Sequence, residues 1–108
     1  METALLSYKE TLLDTARTLL LTDSPSGFTQ RAAELAEQIA RGLSYETART
    51  NKGGLIIRVP GRTHDKRIGL CAHIDTLGLM CRAVTGKGEL LFTCVGGPLL
   101  PTLDGEYC

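Results

Sequence analysis

The sequence predicts an α/β fold in which two N-terminal helices precede a β-hairpin and further strands of a central sheet. Through Leu43, apolar residues recur every three or four positions, which is the period of an amphipathic helix. From Tyr45 onward, short apolar runs are separated by turns rich in glycine and proline, a pattern typical of strands.

The first helix is predicted from about residue 4 to about residue 21. Proline and glycine within residues 23–27 end it, because proline disfavours helix at the preceding residue and glycine relaxes the backbone. We expect its apolar stripe to face a core rather than a partner, and that stripe comprises Leu5, Tyr8, Leu12, Ala16 and Leu19.

The second helix is predicted to follow that break and to stop near Gly42. Glu37 lies four residues before Arg41, a spacing that supports an ion pair on the outer face. We expect its apolar stripe to be core as well, and that stripe comprises Phe28, Ala32, Leu35, Ile39 and Leu43.

Short strands follow the second helix. Residues 45–50 and 55–59 form a predicted hairpin around a turn at 51–54, and residues 67–73 form the next strand. Residues 77–83 and 89–95 form a second hairpin around the glycines of 85–88, and residues 103–108 resemble the start of another strand. The glycines at 86 and 88 lack the spacing and following helix of a phosphate loop.

Charge and hydropathy exclude two classes of partner. The 12 basic and 12 acidic residues cancel, so we expect no attraction to nucleic acid or to an anionic membrane. The apolar runs are too short for a membrane span, and the N-terminus lacks the features of a secretory signal. We therefore expect one cytoplasmic globular domain at most.

The cysteines do not form a recognisable metal or redox motif. Cys71, Cys81, Cys94 and Cys108 are unevenly spaced, with no C-x-x-C pair. One four-thiolate site or two disulfides remain alternatives, but we expect free thiols, with Cys71 and Cys81 acting as small apolar residues in strands.

The chemistry of the chain is predicted at His73 and Asp75. Residues two apart on a strand point to the same side, so both side chains can face one point while Ile74 packs behind them. Imidazole nitrogen binds zinc and similar ions, and a nearby carboxylate can orient the ring. The alternative is a histidine that caps a strand end and is hydrogen-bonded to a carboxylate.

His64 lies in the polar loop 61–66 and is expected to be solvated.

Four segments in order resemble the dinuclear-metal aminopeptidase family that includes glutamyl, deblocking and tetrahedral aminopeptidases and some members named endoglucanases. They are residues 24–28 (SPSGF), 51–56 (NKGGLI), 72–80 (AHIDTLGLM) and 91–97 (LFTCVGG). Together they span nearly the whole chain.

The resemblance implies a truncated metallopeptidase catalytic domain. Residues 1–95 would be the N-terminal part of that α/β domain, and residues 96–108 would begin an inserted small β-barrel. It also implies peptide substrates, a homo-oligomer, and two divalent metal ions, either zinc, cobalt or manganese. His73 matches the metal-ligand histidine, and Asp75 matches the catalytic aspartate that orients the site.

The other ligands and the general base of the family would lie further along the chain. One histidine and one carboxylate cannot hold a dinuclear site, so we expect the 108-residue chain to be inactive as a hydrolase. The sequence also has Thr76 where the family usually has an acidic residue. Two alternatives remain open: a non-catalytic scaffold or interaction protein with a degenerate metal site, and a metal-binding module completed by a second copy.

Overall fold

The structure is a computed structural model that describes residues 2–63 and 65–106, with side chains described from Tyr8 onward. Its element order confirms the predicted α/β class. The elements are α1 (Glu2–Leu20), α2 (Gln30–Gly42), β1 (Glu46–Arg49), β2 (Leu55–Arg58), β3 (Gly78–Val84), β4 (Leu90–Val95) and a 3-10 turn (Leu100–Thr102). His64 and Cys108 lie outside the described residues.

The apolar stripe of α1 is not core, contrary to the prediction. Tyr8 is 69% exposed and Leu12 is 65% exposed. In the described part of the chain, α2 is the only element that packs against α1, and it leaves this face open. The helical period is therefore confirmed, but the described residues cover the stripe only in part, at Ala16 and Leu19, which are half-buried. The side chain of Leu5 lies outside the described ones.

The predicted stripe of α2 is buried only in part. Ala32 is buried and Leu35 and Ile39 are half-buried, whereas Phe28 and Leu43 are 54% and 62% exposed, so the core prediction was wrong at these last two positions. Outside the predicted stripe, Ala33 and Ala40 are also buried. The guanidinium of Arg31 lies 5.6 Å from the centre of the Phe28 ring, where a cation can interact with the ring face.

Helix α2 ends at Gly42, as predicted, and the chain leaves it through a Schellman motif centred on Ser44. The N–H of Tyr45 donates to the carbonyl of Ala40 at 3.0 Å, and the N–H of Ser44 donates to Arg41 at 2.9 Å. Ser44 has a φ of 64°, in the left-handed region. Gly42 is the last helical residue, and its φ is not positive.

The strands form two separate antiparallel hairpins. Strand β1 pairs with β2, from Glu46 opposite Arg58 to Arg49 opposite Leu55. Strand β3 pairs with β4, from Gly78 opposite Val95 to Val84 opposite Leu90, with a register shift between Cys81 and Ala83. Both hairpins agree with the predictions, and β1 and β2 pack on α2.

Residues 67–73, predicted as a strand, are irregular and have no strand partner among the described residues. Ile68 and Leu70 are 90% and 94% exposed. A strand requires a neighbour to receive its backbone hydrogen bonds, and no described segment supplies one. Cys71 is therefore exposed outside any strand, and Cys81 is exposed on β3, so neither acts as a buried apolar residue.

The predicted strand at 103–108 is also absent over its described residues. Pro101 lies in the first turn of the 3-10 segment, and residues 103–105 form a turn in which Gly105 has a φ of 82°. The fixed φ of proline suits a helical start, and the glycine accepts the left-handed angle of the turn. Residues 107 and 108 lie outside the described ones.

The described chain is elongated, with extents of 63 × 36 × 22 Å and a radius of gyration of 18.6 Å. A compact domain of this length would have a radius of about 13 Å. None of the helices in the described part of the chain is long and apolar enough to cross a membrane.

Candidate metal site

The loop that follows α1 holds the segment that carries His73 and Asp75. The N–H of Thr76 donates to the Ser24 carbonyl at 2.7 Å, and the N–H of Ser26 donates to the Thr76 carbonyl at 3.2 Å. These two bonds form a parallel bridge between Pro25 and Thr76. Both bonds use only the backbone, so the Thr76 side chain is not needed for them.

The buried side chain of Ser24 adds a hydrogen bond beside this bridge. It is only 2% exposed, and its hydroxyl donates to the carbonyl of Ile74 at 2.9 Å. A buried hydroxyl needs a partner, and this bond satisfies it. Ser24 therefore fixes the backbone between the two candidate site residues.

The start of β3 passes very close to the same loop. A Cβ added to Gly78 would lie 2.8 Å from the Cβ of Pro25, which is shorter than real carbon contacts allow. Glycine at 78 therefore permits the backbone of β3 to approach the loop.

The structure brings His73 and Asp75 together. The Nδ1 atom of His73 lies 3.1 Å from Oδ1 of Asp75 and 3.0 Å from the Asp75 carbonyl oxygen. Both oxygens are acceptors, so we assign the ring proton to Nδ1, where it is donated to Asp75. In the neutral ring Nε2 then carries a lone pair, which is the atom that a metal ion requires. The His73 side chain is 86% exposed.

A third side chain joins this pair. The hydroxyl of Ser26 donates to Oδ2 of Asp75 at 2.6 Å. This bond, followed by the one from His73, holds the pKa of the Asp75 carboxyl below its ordinary value. Asp75 is therefore a carboxylate with one oxygen facing Ser26 and the other facing His73.

Ser26 is not among the site residues that the sequence predicts. It lies 49 positions from Asp75, and no local spacing relates the two. Segment 24–28 is one of those that resemble the family, but that resemblance assigns no role to the Ser26 side chain.

The donor types at this point suit a divalent metal, but the donor number does not. His73 offers one imidazole and Asp75 one carboxylate, whereas protein metal sites for zinc use three or four ligands. Among residues 2–63 and 65–106, with the side chains of 2–7 left aside, no three His, Cys, Asp or Glu side chains could hold one ion together. The described residues can therefore supply part of the ligand set of a metal site, not a complete site.

The part of the chain that resembles known proteins includes the residues of this partial metal site. Residues 53–108, more than half of the chain and including His73 and Asp75, match the family model described as M42 glutamyl aminopeptidase. The chain is also 34% identical over 96 residues to the Bacillus subtilis (strain 168) protein YhfE, whose assigned name includes the word aminopeptidase. That alignment covers 89% of this chain and 28% of YhfE. The chain belongs to the M42 glutamyl aminopeptidase family.

Proposed function

We propose that this chain is the N-terminal part of a metal-dependent aminopeptidase that removes N-terminal residues from peptides. The observation that carries the proposal is the contact between His73 and Asp75 within the segment that matches the family. Residues 1–95 would belong to the α/β catalytic domain and residues 96–108 to the start of the inserted barrel. The chain spans 28% of the length of YhfE, so most of the enzyme would lie in other segments.

In the complete enzyme His73 would bind a zinc, cobalt or manganese ion through Nε2, and Asp75 would hold the ring in the required tautomer. A pair of such ions supplies an activated water and positive charge beside the reacting carbonyl when bound. In the part of the chain that the structure describes, no third ligand joins His73 and Asp75, so we expect the 108-residue chain to be inactive on its own. We also propose a cytoplasmic homo-oligomer as the working form.

The test compares the 108-residue chain with the longer product of the same reading frame. Each is assayed on aminoacyl chromogenic substrates after chelation and after addition of zinc, cobalt or manganese. We expect activity only in the longer chain and only with metal. His73→Ala should lower kcat/KM by at least about 100-fold, and Asp75→Asn by about 10–100-fold. A longer chain whose activity is unaffected by His73→Ala would contradict the proposal.

A second candidate is a non-catalytic scaffold descended from the same family, with a degenerate metal site. It is favoured by the shortage of ligands near His73 in the described part of the chain. A stop codon directly after Cys108, together with stable folding without metal, would support the scaffold and contradict the aminopeptidase. Loss of a metal-linked dimer on His73→Ala would instead support a module completed by a second copy.

A further inference from the structure

We infer that Ser26 is a positioning residue that orients the Asp75 carboxylate and, through it, the ring of His73. The significance of this role rests on the proposed function of His73 as a metal ligand. The contact between Ser26 and Asp75 itself does not depend on it. The Ser26 hydroxyl approaches the site from a loop about 50 residues earlier in the chain.

The two carboxylate oxygens of Asp75 contact different partners. Oδ2 accepts from the Ser26 hydroxyl at 2.6 Å, and Oδ1 faces Nδ1 of His73 at 3.1 Å. Rotation of an aspartate carboxylate about its last bond is soft, so one contact alone does not fix it. A second donor on the opposite oxygen removes that freedom. Ser26 thereby keeps Oδ1 aimed at the imidazole.

The position of the Ser26 hydroxyl is itself fixed by the backbone. The N–H of Ser26 donates to the Thr76 carbonyl, which belongs to the residue next to Asp75. This backbone hydrogen bond therefore fixes the position of the Ser26 backbone relative to Asp75, so the hydroxyl lies within hydrogen-bond distance of the carboxylate. Because that anchor is a backbone bond, removal of the hydroxyl leaves the anchor in place.

Ser24 and Ser26 have different tasks in the same loop. The Ser24 hydroxyl bonds to a backbone carbonyl and is buried, so it is structural. The Ser26 hydroxyl is exposed and bonds to a side chain of the candidate site. A substitution of Ser26 can thus remove the contact between its side chain and Asp75 while the backbone bridge between Pro25 and Thr76 persists.

The experiment measures which ring nitrogen of His73 carries the proton. Histidine-selective ¹⁵N labelling in a His64→Gln background leaves His73 as the only labelled ring, and spectra are recorded at about pH 8, where an ordinary imidazole is neutral. Magic-angle spinning reads the same signals where the chain associates. A histidine side chain in water prefers its proton on Nε2, so a dominant Nδ1–H form reports the contact with Asp75.

The decisive pair is Ser26→Thr against Ser26→Val, which have the same shape and differ by the hydroxyl. We expect Ser26→Thr to keep the Nδ1–H form dominant and Ser26→Val to shift the ring toward the Nε2–H form, as Asp75→Asn does. Ser26→Ala should agree with Ser26→Val, and Thr18→Ala on α1 should change nothing. Equal tautomer fractions in the Thr and Val variants would overturn the inference.

A metal titration of the longer chain separates this inference from the proposed function. We expect Ser26→Val to weaken zinc binding by up to about 10-fold relative to Ser26→Thr, since it acts on the ligand through Asp75. Zinc binding that is unaffected by His73→Ala would refute the proposed function, while the tautomer result would still decide the role of Ser26.

Discussion

Ser44 adopts the left-handed conformation at the end of α2, with a φ of 64°. A side chain in this region costs about 1–2 kcal/mol, whereas glycine adopts it freely. We predict that Ser44→Gly stabilises the chain by about 0.5–1 kcal/mol after the extra unfolded-state entropy of glycine is subtracted. The free energy of unfolding from urea denaturation, followed by circular dichroism, measures the change.

Gly42 provides the matched control for that prediction. It is helical, and a Cβ at this position would meet nothing within 4 Å. Gly42→Ala should therefore stabilise α2 by about 0.5–1 kcal/mol through helix propensity. If Gly42 were the left-handed stop that the sequence suggests, alanine there would be destabilising instead. That result, or a loss of stability in Ser44→Gly, would contradict the Schellman assignment.

Gly78 tests the contact between the site loop and β3. An added Cβ would clash with Pro25 at 2.8 Å, so we predict that Gly78→Ala costs about 1–3 kcal/mol as the bridge is displaced. Gly69 is the control, because a Cβ there meets nothing within 4 Å and its φ is not positive. Gly69→Ala should stay within about 0.5 kcal/mol of the natural chain. Equal unfolding free energies for the two variants would contradict the close approach.

At the scale of residues, the sequence predicted contacts that depend on local geometry and missed those that depend on folding. The contact between His73 and Asp75 was predicted from their separation of two residues, although the strand assumed in that prediction is absent. The bond from Ser26 to Asp75 joins residues 49 apart, and no periodicity encodes it. The left-handed Ser44 was missed for a related reason, because glycine at 42 was the stronger local signal for a helix stop.

At the scale of elements, Glu37 joins α2 to β1. Its Oε1 accepts from Arg41 at 2.7 Å and from Thr47 at 3.1 Å, and its Oε2 accepts from Arg49 at 2.8 Å. The helix pair between Glu37 and Arg41 is the one that the sequence spacing predicted. The bonds to β1 are not local, and they convert a surface ion pair into a link between two elements.

The pH dependence of this link has a definite sign. The pKa of Glu37 lies below its ordinary value of 4.5, mainly because of the hydrogen bond from Arg49. The hydrogen bond from Thr47 and the positive charge of Arg41 lower this pKa further. A depressed carboxyl pKa stabilises the fold above the unfolded value, and that contribution is lost as the pH falls through the folded pKa. We predict that Glu37→Gln lowers the Tm by a few degrees at pH 7.

The difference from the natural chain should shrink as the pH is lowered from 7 through the folded-state pKa of Glu37, because the carboxyl is then protonated. Glu34→Gln serves as the control, because Glu34 accepts from Gln30 on the same helix and does not reach β1. It should leave the Tm nearly unchanged over the same pH range. A Tm difference for Glu37→Gln that stays the same throughout this pH range would contradict the link.

The predictability of each element follows from where its hydrogen bonds go. Both helices and both hairpins satisfy their backbone groups within a short stretch of chain, so period and turn residues were sufficient to place them. Residues 67–73 have an apolar, strand-like composition, yet a strand depends on a neighbour that sequence patterns do not supply. The absent strand at 103–106 has a different cause, since Pro101 and Gly105 favour turns over pairing.

At the scale of the whole molecule, the chain exposes more surface than a compact protein of its mass. Its accessible surface is 9881 Å², whereas a compact monomer of 11.6 kDa would expose about 5,800 Å². The excess includes large apolar side chains on α1 and in residues 67–73. In the described part of the chain, the buried hydrophobic residues are three alanines, Ala32, Ala33 and Ala40.

This surface predicts association of the isolated chain. Exposed apolar side chains and unpaired backbone in residues 67–73 favour contact between copies, so we expect concentration-dependent oligomers or aggregates in light scattering after size exclusion. Burial of one leucine contributes about 1.5–3 kcal/mol, so Leu70→Lys should weaken association by about 10–100-fold. Thr63→Lys adds the same charge in the preceding loop and should have little effect. A thermally robust monomer for the natural chain would contradict this prediction and would also count against its being one part of a larger catalytic domain.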